Sequence, residues 1–356
     1  MFAAVDTPND STVFVMSNNS DHNEVVAYTH ERDGRFLETG RYETGGRGSG
    51  GTNDPLQSQG SLTLSSDRQL LFAVNAGSGT LSSFWVGRQG RLQLADRVET
   101  GGSEPLAVAS SQNRVYVLDG AGAGTVVGFV VNGPGQLRRI PNASSFLSAT
   151  SAGGSSISIT PNGRFVVVTE RLTNKLDVFP IQQDGTLGAV QAIDSPVPGV
   201  FSGRFDPAGQ YILSATGPAG VTGGSTISSF SVTNNGTLAP ITESLPTFGN
   251  ANCWNAVTPN GKFAFVSNAG SSTISGFSIG ANGLLTPVAS TIVATQPEGS
   301  TNLDITVSAD GSYLYTLNSM VGTIGVFKIN SDGTLNPEGE ISGLPKNVGF
   351  NGIAAL

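Results

Sequence analysis

Short apolar stretches rich in Val, Leu and Phe are strung along the whole chain, and clusters of Gly, Asn, Asp and Ser separate them. Val13-Phe14-Val15-Met16, Phe165-Val166-Val167-Val168 and Phe263-Ala264-Phe265-Val266 are representative. Each is long enough for a buried strand and too short for a core helix. Nowhere do apolar residues recur at i, i+3, i+4 and i+7 for three turns, so the pattern predicts strands throughout and almost no helix.

The stretches belong to a repeated unit. Segment 258–277 opens on Thr258-Pro259-Asn260-Gly261, runs through an apolar stretch to Asn268, and resumes after Gly270 up to Phe277. Segments 65–84, 160–179 and 308–327 follow the same course. Each unit carries a second turn: Asp33-Gly34, Gln89-Gly90, Pro134-Gly135, Asp184-Gly185, Asn235-Gly236, Asn282-Gly283 and Asp332-Gly333, recurring about every 50 residues. Asn-Gly and Asp-Gly supply the positive φ that tight hairpins need. Two hairpin turns per unit make four strands, which is a propeller blade, and seven such units make seven blades. The chain 1–356 therefore reads as one all-β domain, a seven-bladed β-propeller with four antiparallel strands per blade. The first unit lacks an inner strand, and the terminal Gly352-Ile353-Ala354-Ala355-Leu356 resembles one such as Gly60-Ser61-Leu62-Thr63-Leu64. Pairing the chain ends would hide two sheet edges and close the ring. Met1 to Val5 compete for the same place.

Composition narrows the function classes. The 48 glycines fit a turn-dense β fold, and a formal charge of −8 argues against nucleic acid or an anionic membrane as partner. No apolar run approaches the roughly 18 residues of a membrane span. Cys253 is the one cysteine and His22 and His30 are the two histidines. An intramolecular disulfide is thus impossible, and neither a zinc cluster nor any other metal or cofactor is expected. A monomer with a small-molecule ligand is the expected state. No leader precedes the polar sequence after Met1-Phe2-Ala3-Ala4. Few charged residues and abundant Gly, Ser, Thr and Asn point to a secreted or periplasmic protein given without its leader, with a cytoplasmic one as the alternative.

Let the strands of a blade be A to D from the channel outwards. The A–B and C–D turns then share one face and look alike from blade to blade. The B–C loops and D–A crossovers share the other, where the sequence varies: 40–60 is a long Gly-rich crossover and 216–226 an enlarged loop. A constant scaffold with one variable rim places chemistry on that rim. The strand-B ends align as Asn18, Asn75, Asp119, Glu170, Thr216, Asn268 and Asn318. Asn and Asp there are explained by turn formation. Glu170 is not, and so becomes the candidate catalytic group. The strand-A entrances supply Gln57, Gln59, Glu104, Asn252, Cys253, Trp254, Asn302 and Asp304. Arg204, within Phe201-Ser202-Gly203-Arg204-Phe205, needs a buried partner or an aqueous channel, and Glu170 or Glu104 would serve as partner. Cys253, with no histidine near it in the repeat, reads as a buried inert thiol.

Taken together, Thr258-Pro259-Asn260-Gly261-Lys262-Phe263, Ser272-Thr273-Ile274-Ser275-Gly276-Phe277, Phe72-Ala73-Val74-Asn75-Ala76-Gly77 and Cys253-Trp254 resemble the lactonase propeller family. That family includes propeller-type 6-phosphogluconolactonases and 3-carboxymuconate-cyclase-like enzymes, and the likeness is to its secreted branch. The resemblance implies an enzyme acting on a lactone or related cyclic ester. In the phosphogluconolactonase-like members an Arg-His pair stands on the blade-4 inner strand, ahead of a Glu at the end of strand B. Here Glu170 matches the Glu, while Gly154-Ser155-Ser156 replaces the pair. Glu170 and Arg204 are the expected catalytic residues, with Gln59, Glu104, Ser155, Asn252, Trp254 and Asn302 as ligand contacts and no metal ligands. A non-catalytic secreted or surface propeller that binds a ligand is the alternative.

Overall fold

A computed structural model of the chain describes residues 11–30 and 35–356. Met1 to Val5 and the Asp33-Gly34 turn lie outside the described residues. Seven four-stranded antiparallel sheets surround one axis, and the described residues contain no α-helix. The inner strands, in blade order, are Ile353–Ala355, Leu62–Leu64, Pro105–Ser111, Gly154–Ile159, Val200–Phe205, Asn252–Val257 and Asn302–Val307.

Blade 4 shows how the sequence makes the unit. Gly163, at φ +69°, takes the conformation in which Gly is least strained. Its N–H donates to Thr160 O at 2.8 Å, closing the A–B turn between Gly154–Ile159 and Phe165–Glu170. Strand B is buried along its whole length because it packs on both neighbours. Val166 and Val168 face blade 3 with Tyr116 and Leu118, while Phe165 and Val167 face blade 5 with Tyr211 and Leu213. The period-2 alternation of a strand thus feeds two inter-blade cores at once.

The ring closes as the terminal sequences suggest. Ile353–Ala355 pairs antiparallel with Thr12–Met16, in the register Val13 to Ala355, Phe14 to Ala354 and Val15 to Ile353.

Side-chain latches run along the blade seams at the strand-B ends. Thr44 Oγ1 donates to Asn75 Oδ1 at 2.6 Å, Thr100 Oγ1 to Asp119 Oδ1 at 2.7 Å, and Ser148 Oγ to Glu170 Oε2 at 2.8 Å. Asn318 Nδ2 donates to Gln296 Oε1 at 3.1 Å. In each the D–A crossover entering a blade is tied to the end of that blade's strand B. Gly46 and Gly102 let the crossover pass directly over the latch residue. A Cβ there would lie 2.4 Å from Asn75 Cγ or 2.5 Å from Asp119 Cγ. The strand-B residues therefore hold neighbouring segments together, beyond the local turn formation expected of Asn and Asp.

Deleting Gly352–Leu356 removes the closing strand and the burial of Ile353, which is 2% exposed. We expect a loss of at least about 3 kcal/mol in equilibrium denaturation. An unchanged unfolding midpoint would show that the ring does not depend on this closure.

Candidate functional site

The long crossover 40–60 does not stay on the rim. Its last residues enter the channel from the B–C/D–A side and cross it. Leu56, Ser58 and Gln59 are 2%, 0% and 2% exposed. Ser58 Oγ donates to Leu106 O of blade 3 at 2.9 Å, and Ser58 O accepts from Trp254 Nε1 of blade 6 at 2.9 Å. Gln59 N donates to Ser155 O of blade 4 at 2.8 Å, forming a parallel bridge with the inner strand there. Its Nε2 donates to Asn255 O of blade 6 at 3.0 Å and to Asp304 Oδ1 of blade 7 at 2.8 Å, while Oε1 accepts from Asn255 N at 3.2 Å. Val108 N of blade 3 donates to Gly60 O at 2.9 Å. The segment works as an axial pin. It succeeds because inner strands have one unpaired edge facing the channel, and a chain crossing there satisfies part of it.

Beneath the pin lies a chamber of about 280 Å³. Gln59 and Gly60 of the pin close its inner end, and its walls are the far halves of the inner strands, including Ser110, Ser158, Arg204, Val257 and Thr306. Those halves lead into the A–B turns, so the chamber opens on the face of short, uniform turns. The variable rim was the expected side; the pin fills the channel there.

Arg204 is the charged group of this chamber's wall. Its Nε is buried without an acceptor, and none of the ion pairs among the described residues includes it. Burial pulls its pKa below the ordinary value, and the carboxylate of Asp304 opposes that pull. Arginine stays protonated regardless. Asp304 occupies an extra residue in the inner-strand pairing of blade 7, between Leu303 and Ile305, with φ +39°. Besides Gln59 it accepts from Ile305 N at 2.8 Å (Oδ1) and from Ile353 N at 3.3 Å (Oδ2). Burial raises its pKa, while Arg204 and these donors lower it. The carboxylate that acts on Arg204 is therefore Asp304, without closing an ion pair, and neither Glu170 nor Glu104 takes the expected partner's place. Glu104 is exposed at the entry to blade 3, and Glu170 is enclosed in the seam between blades 3 and 4.

Glu170 is fully buried. It accepts from Ser148 N at 2.9 Å, from Ser148 Oγ, and from Thr173 Oγ1. Asp177 Oδ2 shares the Ser148 N–H at 2.8 Å. Two carboxyls this close hold one proton between them. Burial, reinforced by Glu170, pushes Asp177 up to about 8. Burial also works against the charge of Glu170, but bonds from Asp177, Thr173 and Ser148 outweigh it and hold its pKa low.

The other expected contacts scatter. Ser155 is buried, its Oγ donating to Phe201 O at 2.6 Å. Asn252 and Asn302 donate to Thr226 O at 2.9 Å and Thr273 O at 3.2 Å, each tying its strand to the preceding blade. Trp254 packs edge-on to Phe201 at 5.2 Å, its indole N–H held by the pin at Ser58 O. His22 is exposed on its loop, and His30 stacks on Phe36 at 4.5 Å, away from the axis. Of the expected set only Gln59 and Arg204 meet at the chamber. Asp304 joins them from behind. Its signal lay in the aligned extra residues of the inner strands: Leu106, Ser155, Phe201 and Cys253, with a carboxylate replacing them in blade 7. Cys253 is buried, and burial pushes its thiol pKa well above the usual range.

A closed seven-bladed ring with a pinned axis and an open chamber on one face defines the class of this protein. The family model "Lactonase, 7-bladed beta-propeller" matches residues 123–253 and 226–351. The chain belongs to that family. Among curated proteins no relative matches it. Of solved structures, a putative 6-phosphogluconolactonase from Bacteroides fragilis superposes with a TM-score of 0.72 at 18% identity, covering 99% of this chain and 100% of its own. A putative 6-phosphogluconolactonase from Bacteroides uniformis gives 0.73 at 18%, covering 98% and 100%. The periplasmic gluconolactonase of Pseudomonas aeruginosa gives 0.69 at 19%, covering 96% and 99%. At these identities the likeness is one of fold.

Burial raises Asp177 to about 8, Asp54 to about 7 and Asp119 to about 6. A carboxyl raised on folding contributes stability below its unfolded value, about 4, and that contribution is lost as pH climbs through the folded value. Stability in urea should therefore fall between about pH 5 and 8, and Asp177→Asn should flatten the upper part of that fall; a midpoint rising across this window would contradict the assignment. Glu170→Gln, which turns an amide N–H toward the Ser148 donors, should cost about 1–3 kcal/mol. Cys253 should react with a thiol reagent only at the rate of unfolding. Fast stoichiometric labelling of the native protein would disprove its burial.

Proposed function

We propose that this chain is a lactonase-like enzyme whose axial chamber takes a small cyclic ester from the A–B face, with Arg204 as its anion anchor. The observation that supports this reading is a half-buried guanidinium, its Nε enclosed without an acceptor and with no ion-pair partner, on the wall of an open chamber, in a chain of the lactonase family. A cation left unpaired in a protein interior costs stability unless something arrives to meet it. Lactone opening develops negative charge on the carbonyl oxygen, and its product is a hydroxy acid. A fixed guanidinium suits both. Here Arg204 draws charge onto the carbonyl oxygen, water adds to the carbonyl carbon, the ring C–O bond breaks with its electron pair on the ring oxygen, and a proton from the added water passes to that oxygen to give the hydroxy acid. Glu170 is not assigned a step, because its oxygens are occupied within the blade seam.

A second reading, ligand binding without turnover, draws on the chamber wall itself. Among the described residues no carboxylate or imidazole lines it. The Ser158 hydroxyl there already donates to Gly203 O at 2.6 Å.

A panel of lactones with and without a carboxylate substituent, assayed beside Arg204→Met, separates these. We expect turnover by the wild type and a drop of about 10²-fold or more in kcat/KM in the variant. The same variant should be at least as stable as the wild type, since it removes a half-buried charge that no ion pair offsets. Equal turnover by both proteins would remove the chamber from the chemistry. Binding of hydroxy acids without turnover of any lactone would favour the second reading.

A further inference from the structure

Arg204 is unpaired although a carboxylate acts on it. Asp304 is the charged group that influences Arg204, yet the two form no ion pair. A carboxylate beside a guanidinium in a low-dielectric interior would normally close into a hydrogen-bonded pair. What holds it back is visible in its contacts. Oδ1 is taken by Gln59 Nε2 at 2.8 Å and Ile305 N at 2.8 Å, and Oδ2 accepts from Ile353 N at 3.3 Å. Two of these donors are backbone groups of blade 7 and of the ring-closing strand. The third is the side chain of the axial pin, itself fixed by a two-way pairing with Asn255.

We propose that Gln59 is a positioning residue for anion capture: by holding Asp304 it keeps the Arg204 guanidinium open to an anionic ligand in the chamber. This rests on the reading of Arg204 as the anion anchor. Gln59 suits the task chemically. Its amide donates to Asp304 without carrying charge, so it restrains the carboxylate without competing for the incoming anion. A lysine there would neutralise Asp304 but would also offer a second cation. A glutamate would repel both Asp304 and the ligand.

The test uses gluconate and 4-hydroxybutyrate as probes, titrated calorimetrically into the full chain. In Gln59→Leu the carboxylate loses one donor and swings onto Arg204, so affinity should fall at least tenfold. In Gln59→Leu/Asp304→Asn no carboxylate remains to occupy the guanidinium, and affinity should return to within about threefold of the wild type. A pin acting only as a structural strut predicts no such rescue, and a double variant as weak as the single one overturns the proposal. Unchanged affinity in Gln59→Leu overturns it as well. A crystal structure of Gln59→Leu gives a readout that needs no ligand: an Asp304–Arg204 ion pair is expected, and a carboxylate left in its original place refutes the positioning role. Should the wild type bind neither probe while the variant shows that pair, the anion-anchor reading fails and the Gln59–Asp304 restraint stands on its own.

Discussion

The crossing of the channel by residues 58–60 is the constraint on which the rest of the molecule hangs. Seven inner strands present unpaired backbone edges to one axis, and a bare channel would leave them to water. Through Ser58, Gln59 and Gly60 one short segment bonds to blades 3, 4, 6 and 7. Asn255 carries the tie on to blade 5, its Nδ2 donating to Ser202 Oγ at 3.1 Å and Ser214 Oγ at 3.1 Å. Ser61 reaches the closing segment through Asn351 Oδ1 at 3.1 Å. The pin also divides the channel. It closes the variable face, leaves a chamber on the other, and sets the position of Asp304 relative to Arg204. Fold and candidate chemistry therefore share one set of hydrogen bonds.

The seams form a second tier. Asn75, Asp119, Glu170 and Asn318 do the same mechanical work with different chemistry. Amides can donate and accept at once, which suits a crossover made of mixed groups. Carboxyls only accept when ionised, so Asp119 and Glu170 sit against hydroxyl and N–H donors. Buried in this way, acids raise their pKa or share protons. The seams thus carry carboxyls, Asp177 and Asp119, that titrate well above the usual range although they are remote from the chamber.

The fold was legible because its determinants are local and repeated. Pro-Asn-Gly and Asp-Gly turns fix hairpins one at a time, and the terminal Gly352–Leu356 segment could be matched to an inner strand by its own pattern. The site was legible only where a residue broke an environment rule, as Arg204 did among apolar neighbours. Glu170 broke the turn rule too, but for a structural reason: blade 4 receives its crossover through Ser148, without the Thr-Gly-Gly sequence of Thr44-Gly45-Gly46 and Thr100-Gly101-Gly102, and the longer side chain reaches across. The face of the chamber could not be read from loop variability. A long crossover would have to stay on its rim for that, whereas 40–60 folds inward, a tertiary event with no local signature. Asp304 stood among the strand entrances, but its bond to Gln59 joins residues 245 positions apart in the chain.

One measurement bears on the account most directly: a high-resolution crystal structure of the protein soaked with gluconate. The carboxylate is expected in the chamber, entered from the face of short turns, with its oxygens bonded to the Arg204 guanidinium and Gln59 still bridging Asp304 and Asn255. A carboxylate bound instead on the B–C/D–A rim, with Arg204 still unpaired below the pin, would contradict it.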